Sequence, residues 1–581
     1  MVQRRFPADY HVEQDIYLPA EARQDWAYND GDSIETRIQT IVENSVDLSC
    51  LSSELRHQIT DWASLYHLTP KRSNLLRPIK HQIKGRVLEV GAGCGAITRF
   101  LGETGAEIYS IEGSPRRASV CRSRTRDLPN VTVIADNVQN VAFDFKFDVI
   151  TLIGVLEYAR VFSDAADPIG ELLVFLRSML ADDGILVIAI ENQLGLKYFA
   201  GAVEDHMQQP FFGIHDRYSG SSVVTFGKNH LTNTLHDAGF PELQWLFPFP
   251  DYKLPITVLT EDAIKGELGV NLTGMFRNSN AADPQGAKPG GFSLDCAWPV
   301  IARNGLAADL ANSFLVICSV SPPAKPDAGE PEIFAWHYAT DRHVSFAKEL
   351  VVMGDADTGF FFKGALIGDT AQPDLSFTID LKDELLVKGA SWLDELSRIL
   401  NEPGWSAEQV ADWLKVWVQA VLRRDGQSDD LPIASTSVSG RMLDALPFNM
   451  MVDDRGNCRF FDLEFVAHEA LPLDYLAFRA LKESLDRVTS VEAPRKLKHI
   501  STLLLVTDVA REIGLSLTIA KIRALEQMNR RFISGVRFGE EAAAKPGSDF
   551  FLSWRMKVRS RQGERLPIRV AKRARRLLAR A

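Results

Sequence analysis

The sequence predicts an α/β fold: a parallel-sheet domain, followed by an α+β domain and a basic helical tail. Short apolar strands alternate with helical segments from Val87 to about Leu259, which is the pattern of a parallel sheet with crossover helices. A second mixed segment, with a predicted hairpin, covers about 332–540. Because the chain has 581 residues, which is too long for one core, several folding units are expected.

Composition and charge exclude several classes of protein. Apolar residues make up 45% of the chain and charged residues 24%, as in ordinary soluble proteins. The net charge of -11 argues against general nucleic-acid binding, which needs a basic surface. No apolar run is long enough for a membrane span, and the N-terminus, MVQRRFPADYHVEQDIYLPA, has no apolar region of the kind that a signal peptide needs. The six cysteines are scattered, so a structural zinc site is not expected and a cytoplasmic protein is predicted.

The chain divides into four predicted segments, namely a helical cap, the parallel-sheet domain, the second domain and the tail: 1–84, 85–322, 332–540 and 541–581. The cap is predicted because apolar residues recur at helical spacing from about residue 33. The apolar stretch 312–320 is expected to return to the first sheet as its edge strand. The proline-rich stretch 321–331 has nothing to bury and is the predicted linker.

The clearest motif in the chain is a strand that runs into a glycine turn. The apolar strand VLEV carries Glu89 near its end, and glycines follow at alternate positions, Gly91, Gly93 and Gly95. Glycine is needed there because the backbone must come close to a ligand and adopt dihedral angles that a side chain would forbid. A predicted helix, AITRFLGE, begins directly after the turn.

Acidic residues also mark the ends of the next two strands. Glu112 ends the second strand, where a carboxylate can bind both hydroxyls of a ribose. Asp136 ends the third strand, where it can accept a hydrogen bond from an adenine amino group, with the amide of Asn137 beside it. The fourth strand leads into Gly154, which completes the predicted cofactor site.

Together these motifs resemble the class I S-adenosylmethionine (SAM)-dependent methyltransferases, which have a Rossmann-like fold. The resemblance covers about residues 85–260. It implies that Glu89 meets the cationic end of SAM, that the glycine turn passes the methionine part, and that Glu112 binds the ribose. An NAD-binding Rossmann domain is the alternative, but the GxGxG spacing differs from the GxGxxG of a pyrophosphate-binding turn.

Polar and aromatic side chains are dense in the loop after the fifth strand and again near residue 251. Ligands of open α/β sheets bind beyond the carboxyl ends of the strands, so this region should face the methyl group. Six side chains are expected to line the acceptor pocket: Asn192, Tyr198, Asp205, Tyr218, Asp251 and Tyr252. His206 is the candidate general base for transfer to a hydroxyl. Transfer to a phosphate oxygen or a thiolate needs no base, so the histidine leaves the acceptor open.

Three segments carry a closer resemblance. HLTPKRSNLLRP, ENQLGLKYFAGAVEDH and FPFPDYKLP are similar to methyltransferases encoded among surface-polysaccharide and O-antigen assembly enzymes, some of which are fused to kinase-like domains. The resemblance implies that the acceptor is a glycan or a phosphorylated glycan end. It also implies a role in polysaccharide biosynthesis.

The second domain contains the spacing of a phosphotransferase site. Asp444 precedes Asn449 by five residues, and Asp462 follows a predicted hairpin. In such enzymes the first Asp accepts a hydroxyl proton, while the Asn and the second Asp hold magnesium against the phosphates. The ending Asp462-Leu-Glu464 resembles aminoglycoside- and choline-kinase-like enzymes, which implies Mg-ATP as a second ligand.

The second domain also departs from the kinase pattern. Met442-Leu443 stands where protein kinases have His-Arg, and no glycine-rich phosphate-binding loop can be identified in the preceding sequence. Lys348 and Lys363 are both candidates for the lysine that pairs with phosphate. An active kinase, a pseudokinase and an unrelated fold with a hairpin therefore all stay open.

The tail from Trp554 onwards carries eleven Arg and Lys residues against one acidic residue, Glu564. Apolar residues among these cations predict a basic amphipathic helix over about 568–581. Such a helix binds an anionic membrane surface or an acidic protein partner, which would bring the chain to the inner face of the membrane. A solvated tail is the alternative.

The sequence thus predicts a SAM-dependent methyltransferase that acts on a glycan or a glycan-linked phosphate. Two other functions stay open. One is a bifunctional enzyme that phosphorylates and then methylates the same chain end. The other is a membrane-associated assembly scaffold that contains a pseudokinase.

Overall fold

The computed structural model describes residues 3–20, 31–163, 165–220, 222–266, 272–286, 291–322, 331–355, 359–368, 371–386, 388–541 and 556–559. Most of the predicted basic tail therefore lies outside the described residues, and so does most of the predicted linker. Among the described helices, none has the length and hydropathy that crossing a membrane would require.

The N-terminal segment begins with strands and continues with helices. The strands are β1 (Arg4–Arg5), β2 (Tyr10–Glu13) and β3 (Ile16–Pro19). The α-helices are α1 (Asp32–Asn44), α2 (Ser53–His57) and α3 (Trp62–Leu68), and 3-10 turns follow at Pro70–Leu75 and Arg77–Gln82. The predicted helical cap agrees with the structure from residue 32 onwards but not over residues 4–19. Those residues form strands because YHVE and IYLP pair with each other and extend the edge of the main sheet.

The parallel-sheet domain follows the predicted alternation of strands and helices. Its strands are β4 (Arg86–Val90), β5 (Glu107–Ile111), β6 (Val131–Ile134), β7 (Val141–Ala142), β8 (Phe147–Ile153), β9 (Leu180–Glu191), β10 (Glu242–Phe249), β11 (Thr257–Thr260) and β12 (Ser313–Ser319). Its helices are α4 (Ala96–Glu103), α5 (Pro115–Arg124), α6 (Ala159–Phe162), α7 (Pro168–Met179), α8 (Leu196–Phe199), α9 (Lys228–Asp237), α10 (Glu261–Lys265), α11 (Thr273–Ala281) and α12 (Leu294–Arg303).

The second domain combines short strands with five helices in its described part. The strands are β13 (Glu332–Ala339), β14 (Lys348–Asp355), β15 (Gly359–Leu366), β16 (Phe377–Ile379), β17 (Glu384–Leu385), β18 (Ala390–Ser391), β19 (Ser437–Val438), β20 (Met450–Val452), β21 (Cys458–Phe460), β22 (Phe465–Ala467) and β23 (Leu471–Pro472). The helices are α13 (Trp392–Leu400), α14 (Ala407–Arg424), α15 (Leu473–Asp486), α16 (Thr502–Glu512) and α17 (Ile519–Phe538). The hairpin predicted after Asn449 is present as β20 and β21.

One sheet runs through both domains, in the strand order β17-β15-β14-β13-β11-β10-β12-β9-β8-β4-β5-β6-β3-β2. Strands β4, β5, β6, β8 and β9 are parallel, and the chain turns back across the sheet between β4 and β8. The carboxyl ends of these two strands therefore form the crevice where open α/β sheets bind ligands.

The last strand of the first domain does not lie at the sheet edge. Strand β12 is inserted antiparallel between β9 and β10, which corrects the prediction of an edge strand over 312–320. Its residues are almost entirely buried, because both faces of an interior strand are covered. The sheet continues beyond β10 through β11, which pairs with β13. This pairing joins the second domain to the same sheet.

Candidate functional site

The glycine turn between β4 and α4 has a backbone that requires glycine. Gly91, Gly93 and Gly95 all have positive φ angles, of 81°, 55° and 79°. A Cβ atom added at Gly95 would lie 2.9 Å from the Cα of Cys121, which is a backbone atom that cannot move aside alone. The turn therefore brings the main chain to the floor of a cleft between the ends of β4 and β8, as the sequence predicts.

Glu112, at the end of β5, lies in this cleft and is held by main-chain donors. Its two carboxylate oxygens accept hydrogen bonds from the N–H of Gly93, at 2.7 Å, and the N–H of Ser114, at 3.0 Å. The side chain is buried, so these charge-assisted bonds fix its orientation. The structure thus joins the predicted glycine turn and the predicted ribose-binding acid into one unit.

Glu89 lies on the same wall of the cleft. One of its oxygens accepts hydrogen bonds from the hydroxyls of Thr98, at 2.6 Å, and Ser110, at 2.7 Å. Burial raises the pKa of Glu89 to about 7, although these two hydroxyls act in the opposite direction. The charge of this carboxyl group therefore changes near neutral pH.

Asp136 also lines the cleft, but the chain itself uses its oxygens. One oxygen accepts from the Arg4 guanidinium and the Tyr10 hydroxyl, each at 2.8 Å. The other accepts from the N–H of Asn137, at 2.7 Å, and the amide of Asn140, at 2.9 Å. A carboxylate offers about four acceptor positions, so an adenine amino group would have to replace one of these donors. The adenine contact stays a prediction.

The remaining predicted cofactor residues have local roles at the rim of the cleft. The side chain of Asn137 accepts a hydrogen bond from the N–H of Gln139 at 3.0 Å. Gly154 has a φ of 69°, and a Cβ atom there would lie 2.6 Å from the hydroxyl of Tyr252. Both residues line the cleft.

Several residues of the cleft were not predicted as site residues. Tyr66, His67 and Arg72 reach it from the N-terminal segment, and Tyr158 and Phe162 reach it from the region after β8. The Arg72 guanidinium lies 4.4 Å from the centre of the Tyr66 ring. Its Nη1 donates to the carbonyl oxygen of Lys253 at 2.9 Å. His67 and Arg72 belong to the segment HLTPKR, in which the sequence shows a family resemblance but no local pattern of a binding site.

The six predicted acceptor residues are not among those that line the donor cleft. Asn192 is buried and donates to the carbonyl oxygens of Asp309 and Ala311, both at 2.7 Å, so it braces the loop after β9. The Tyr218 hydroxyl lies 2.6 Å from the hydroxyl of Thr225. Tyr198 and Tyr252 are buried as well. These contacts are structural, and a contact with an acceptor stays a prediction.

The two predicted acceptor carboxylates belong to a buried network with two lysines. Lys197 lies between Asp205, at 3.5 Å, and Asp251, at 3.3 Å. Lys253 contacts Asp205 at 2.5 Å and also forms an ion pair with Glu191. The sequence placed Asp205 and Asp251 in one region, and the structure brings them together through lysines that the prediction did not use.

His206, the candidate base, lies beside two glutamates at the ends of β8 and β9. Its Nε2 is 3.7 Å from an oxygen of Glu191, and its Nδ1 is 3.0 Å from the hydroxyl of Tyr158. Burial alone lowers the pKa of His206, but Glu191 and Glu157 outweigh it and raise the pKa to about 9. Burial, followed by repulsion from Glu191, raises the pKa of Glu157 to about 8. Because the imidazole is then protonated at neutral pH, it must lose a proton before it can act as a base.

The predicted phosphotransferase residues converge on a second cleft, where the two domains meet. The side-chain amide of Asn449 donates to the carbonyl oxygen of Asp444 at 3.0 Å. Asp444 accepts from the N–H of Phe465 at 3.0 Å, and burial raises its pKa to about 6. Asp444, Asn449 and Asp462 all line this cleft.

The structure distinguishes the two candidate lysines of the second cleft. Lys348 is buried and contacts Asp462 at 2.5 Å and Glu464 at 2.7 Å. Glu464 also accepts two hydrogen bonds from Arg342, at 3.0 and 2.7 Å. Lys363 is exposed on β15. Lys348 is therefore the lysine that reaches the predicted metal-binding carboxylate.

The first cleft has the features of a Rossmann-like cofactor site: a glycine turn after the first parallel strand and an acid after the second. Comparison with known proteins agrees with this class. A family described as "Methyltransferase domain" matches residues 88–186. The part of the chain that carries the glycine turn and the strand-end acids is therefore similar to a methyltransferase domain.

The similarity to individual proteins is partial. Ribosomal RNA small subunit methyltransferase A of Streptococcus sanguinis (strain SK36) is 38% identical over 58 residues, which is 10% of this chain and 20% of that protein. An uncharacterized methyltransferase of Staphylococcus carnosus (strain TM300) is 25% identical over 167 residues, which is 29% of this chain and 75% of that protein. The first curated relatives are matched over only 20% to 28% of their own length.

Among solved structures, the N-methyltransferase NodS from Bradyrhizobium japonicum WM9 in complex with S-adenosyl-L-homocysteine is similar to part of this chain. The two chains are 18% identical, and the similarity covers 28% of this chain and 75% of NodS, with a TM-score of 0.21.

Proposed function

We propose that this chain transfers a methyl group from SAM to an oxygen of a glycan or a glycan-linked phosphate in surface-polysaccharide biosynthesis. The donor part of the proposal rests on one observation: Glu112 is fixed by the N–H groups of Gly93 and Ser114 at the end of β5. A carboxylate held in this way is preorganised for the ribose hydroxyls of the cofactor. The main role of the protein in this reaction is to hold donor and acceptor in line.

Arg72 supports a phosphorylated acceptor. Its guanidinium is buried, lines the donor cleft and forms no salt bridge with the carboxylates of the described residues. A buried guanidinium with unused N–H donors suits a phosphate, because its planar fork matches two phosphate oxygens. The neighbouring Tyr66 ring provides an apolar face that suits a sugar. The three segments that resemble polysaccharide-assembly methyltransferases support the same acceptor class.

The first test separates the donor from the acceptor. Calorimetric titration with SAM should give a binding signal that weakens roughly 10- to 100-fold in Glu112→Gln, because the amide has only one acceptor oxygen and no negative charge to offer the main-chain donors and the ribose hydroxyls. Glu107→Gln is the matched control, since Glu107 lies on the same strand but is exposed. Failure of the unmutated chain to bind SAM would contradict the proposed activity.

The acceptor test uses radiolabelled SAM with oligosaccharides that do or do not end in a phosphate. Arg72→Lys should raise the KM for the phosphorylated acceptor, whereas Lys84→Met, which changes an exposed cation, should leave it unchanged. If neither oligosaccharide is methylated, the proposed glycan substrate is rejected. The proposed SAM site would not be affected by that result.

A second candidate function is a bifunctional enzyme that phosphorylates and methylates the same chain end. The observation that favours it is the convergence of Asp444, Asn449 and Asp462 on one cleft, with Lys348 in contact with Asp462. Binding of Mg-ATP tests this candidate. If the second cleft does not bind Mg-ATP, a scaffold role for the second domain is favoured, and the basic tail would then supply attachment to an anionic membrane surface or an acidic partner.

A further inference from the structure

A buried cluster of ionisable side chains lies beside the donor cleft, next to Tyr158. We propose that Glu157, Glu191 and His206 bind a divalent transition-metal ion there. Each residue offers one ligand atom, and the three atoms lie within 4.8 Å of one another. Both glutamates are completely buried, one just after β8 and the other at the end of β9. The site therefore lies at the carboxyl ends of two adjacent parallel strands, where ligands of such sheets bind.

The state of Glu157 is the second observation that indicates a cation. Within the described part of the chain, neither of its carboxylate oxygens has a hydrogen-bond partner, although both are buried. An unpaired buried carboxylate is costly, and buried charges in proteins are usually paired or coordinate a metal. A metal ion between Glu157 and Glu191 would satisfy both oxygens and remove the repulsion between the two groups.

His206 is oriented as a metal ligand would be. Its Nδ1 lies 3.0 Å from the Tyr158 hydroxyl, and its Nε2 faces Glu191 without a hydrogen-bond partner among the described residues. Metal-binding histidines typically use one ring nitrogen for the ion, while a polar neighbour holds the other. Tyr158 provides that neighbour.

Lys253 does not occupy the proposed site. It pairs with Oε1 of Glu191, whereas His206 faces Oε2, so the two cations approach different oxygens. Lys253 also contacts Asp205, at 2.5 Å, and its charge is therefore shared with a second carboxylate. This lysine therefore leaves Oε2 of Glu191, and both oxygens of Glu157, to the proposed site.

The ligand set defines the class of ion. Two carboxylates and one imidazole suit Mn²⁺, Fe²⁺ or Zn²⁺ better than an ion that prefers oxygen ligands alone. Since Tyr158 also lines the donor cleft, the ion would lie one side chain away from it. An ion here would hold the loop that carries His206 against the ends of β8 and β9. The inference does not depend on the proposed acceptor.

The test is titration of the full-length chain with Mn²⁺ after treatment with a chelator, with free Mn²⁺ followed by electron paramagnetic resonance. Because Asp462 belongs to the second cleft, the measurements are made in an Asp462→Asn background. One Mn²⁺ per chain is expected, and its affinity should fall at least about tenfold when Glu157→Gln or His206→Gln is added. Addition of Glu107→Gln, at an exposed site, should leave the affinity unchanged.

Two results would overturn the proposal. The first is an absence of Mn²⁺ binding in the Asp462→Asn chain, which would mean that protons neutralise the cluster instead. The second is unchanged Mn²⁺ affinity in Glu157→Gln and His206→Gln, when circular dichroism shows that both variants fold. Titration with SAM is measured separately, so failure of the metal site can be distinguished from failure of the donor site.

Discussion

In the donor cleft, the carboxylate of Glu112 is held by backbone N–H groups, whereas in the second cleft charged side chains hold one another. Lys348 lies between Asp462 and Glu464, and the Arg479 guanidinium contacts Asp444 at 3.3 Å. A carboxylate fixed by backbone donors keeps its negative charge available to a ligand. Paired side chains neutralise one another, so a ligand must first separate them. We therefore expect the donor cleft to bind a ligand without rearrangement, whereas a ligand in the second cleft would first have to break these ion pairs.

The largest effect is expected from removal of the lysine of the second cleft. Lys348→Met should lower the free energy of unfolding by about 3 kcal/mol, because it removes the ion-pair partner of the half-buried Asp462 and leaves the buried Glu464 with Arg342 alone. Lys363→Met is the control and should change the free energy of unfolding by less than about 0.5 kcal/mol, since Lys363 is exposed. Urea unfolding measures both values. Equal effects of the two substitutions would mean that the ion pairs of Lys348 do not contribute to stability.

The glycine turn provides the second comparison. Gly95→Ala should cost about 2 kcal/mol more than Gly105→Ala in the free energy of unfolding. Both glycines have a positive φ, of 79° and 86°, but only at Gly95 would the new Cβ meet a backbone atom, whereas nothing lies within 4 Å at Gly105. Gly95→Ala should also weaken SAM binding. If the two variants are equally stable, the close approach at Gly95 is not a constraint.

The smallest effect concerns the pH dependence of SAM binding. Glu89 has its pKa raised to about 7, so it is mostly neutral near pH 6 and mostly charged near pH 8. The charged form should attract the cationic end of SAM, and affinity should therefore rise with pH, by less than about tenfold per pH unit for one proton. Calorimetry at several pH values measures this slope. Glu89→Gln should flatten it, and an equal slope in that variant would assign the effect to another group.

The arrangement of the glycine turn and Glu112 could be predicted because its parts are local in the sequence. A strand, a glycine turn and a helix occupy neighbouring residues, and Glu112 follows at the end of the next strand. The hairpin between Asn449 and Asp462 is local in the same sense. Such patterns are set by backbone geometry and short spacing, and both appear directly in the sequence.

Other parts of the molecule depend on residues that are far apart in the chain. Arg4 and Tyr10 contact Asp136 across 132 and 126 residues, because β3 joins the edge of the sheet beside β6. The position of β12 between β9 and β10 also depends on strand pairing with distant residues. The apolar sequence of β12 alone is compatible with either an edge strand or an interior strand.

The sequence by itself therefore indicated a methyltransferase domain and predicted that the glycine turn lies beside the strand-end acids, because these features have fixed spacing. Only the tertiary structure decided which lysine reaches Asp462 and that Glu157, Glu191 and His206 form one buried cluster. Their separation along the chain carries no signal of contact. The folding of β8, β9 and the following loop onto one end of the sheet brings these ionisable groups together, and burial there changes their pKa values.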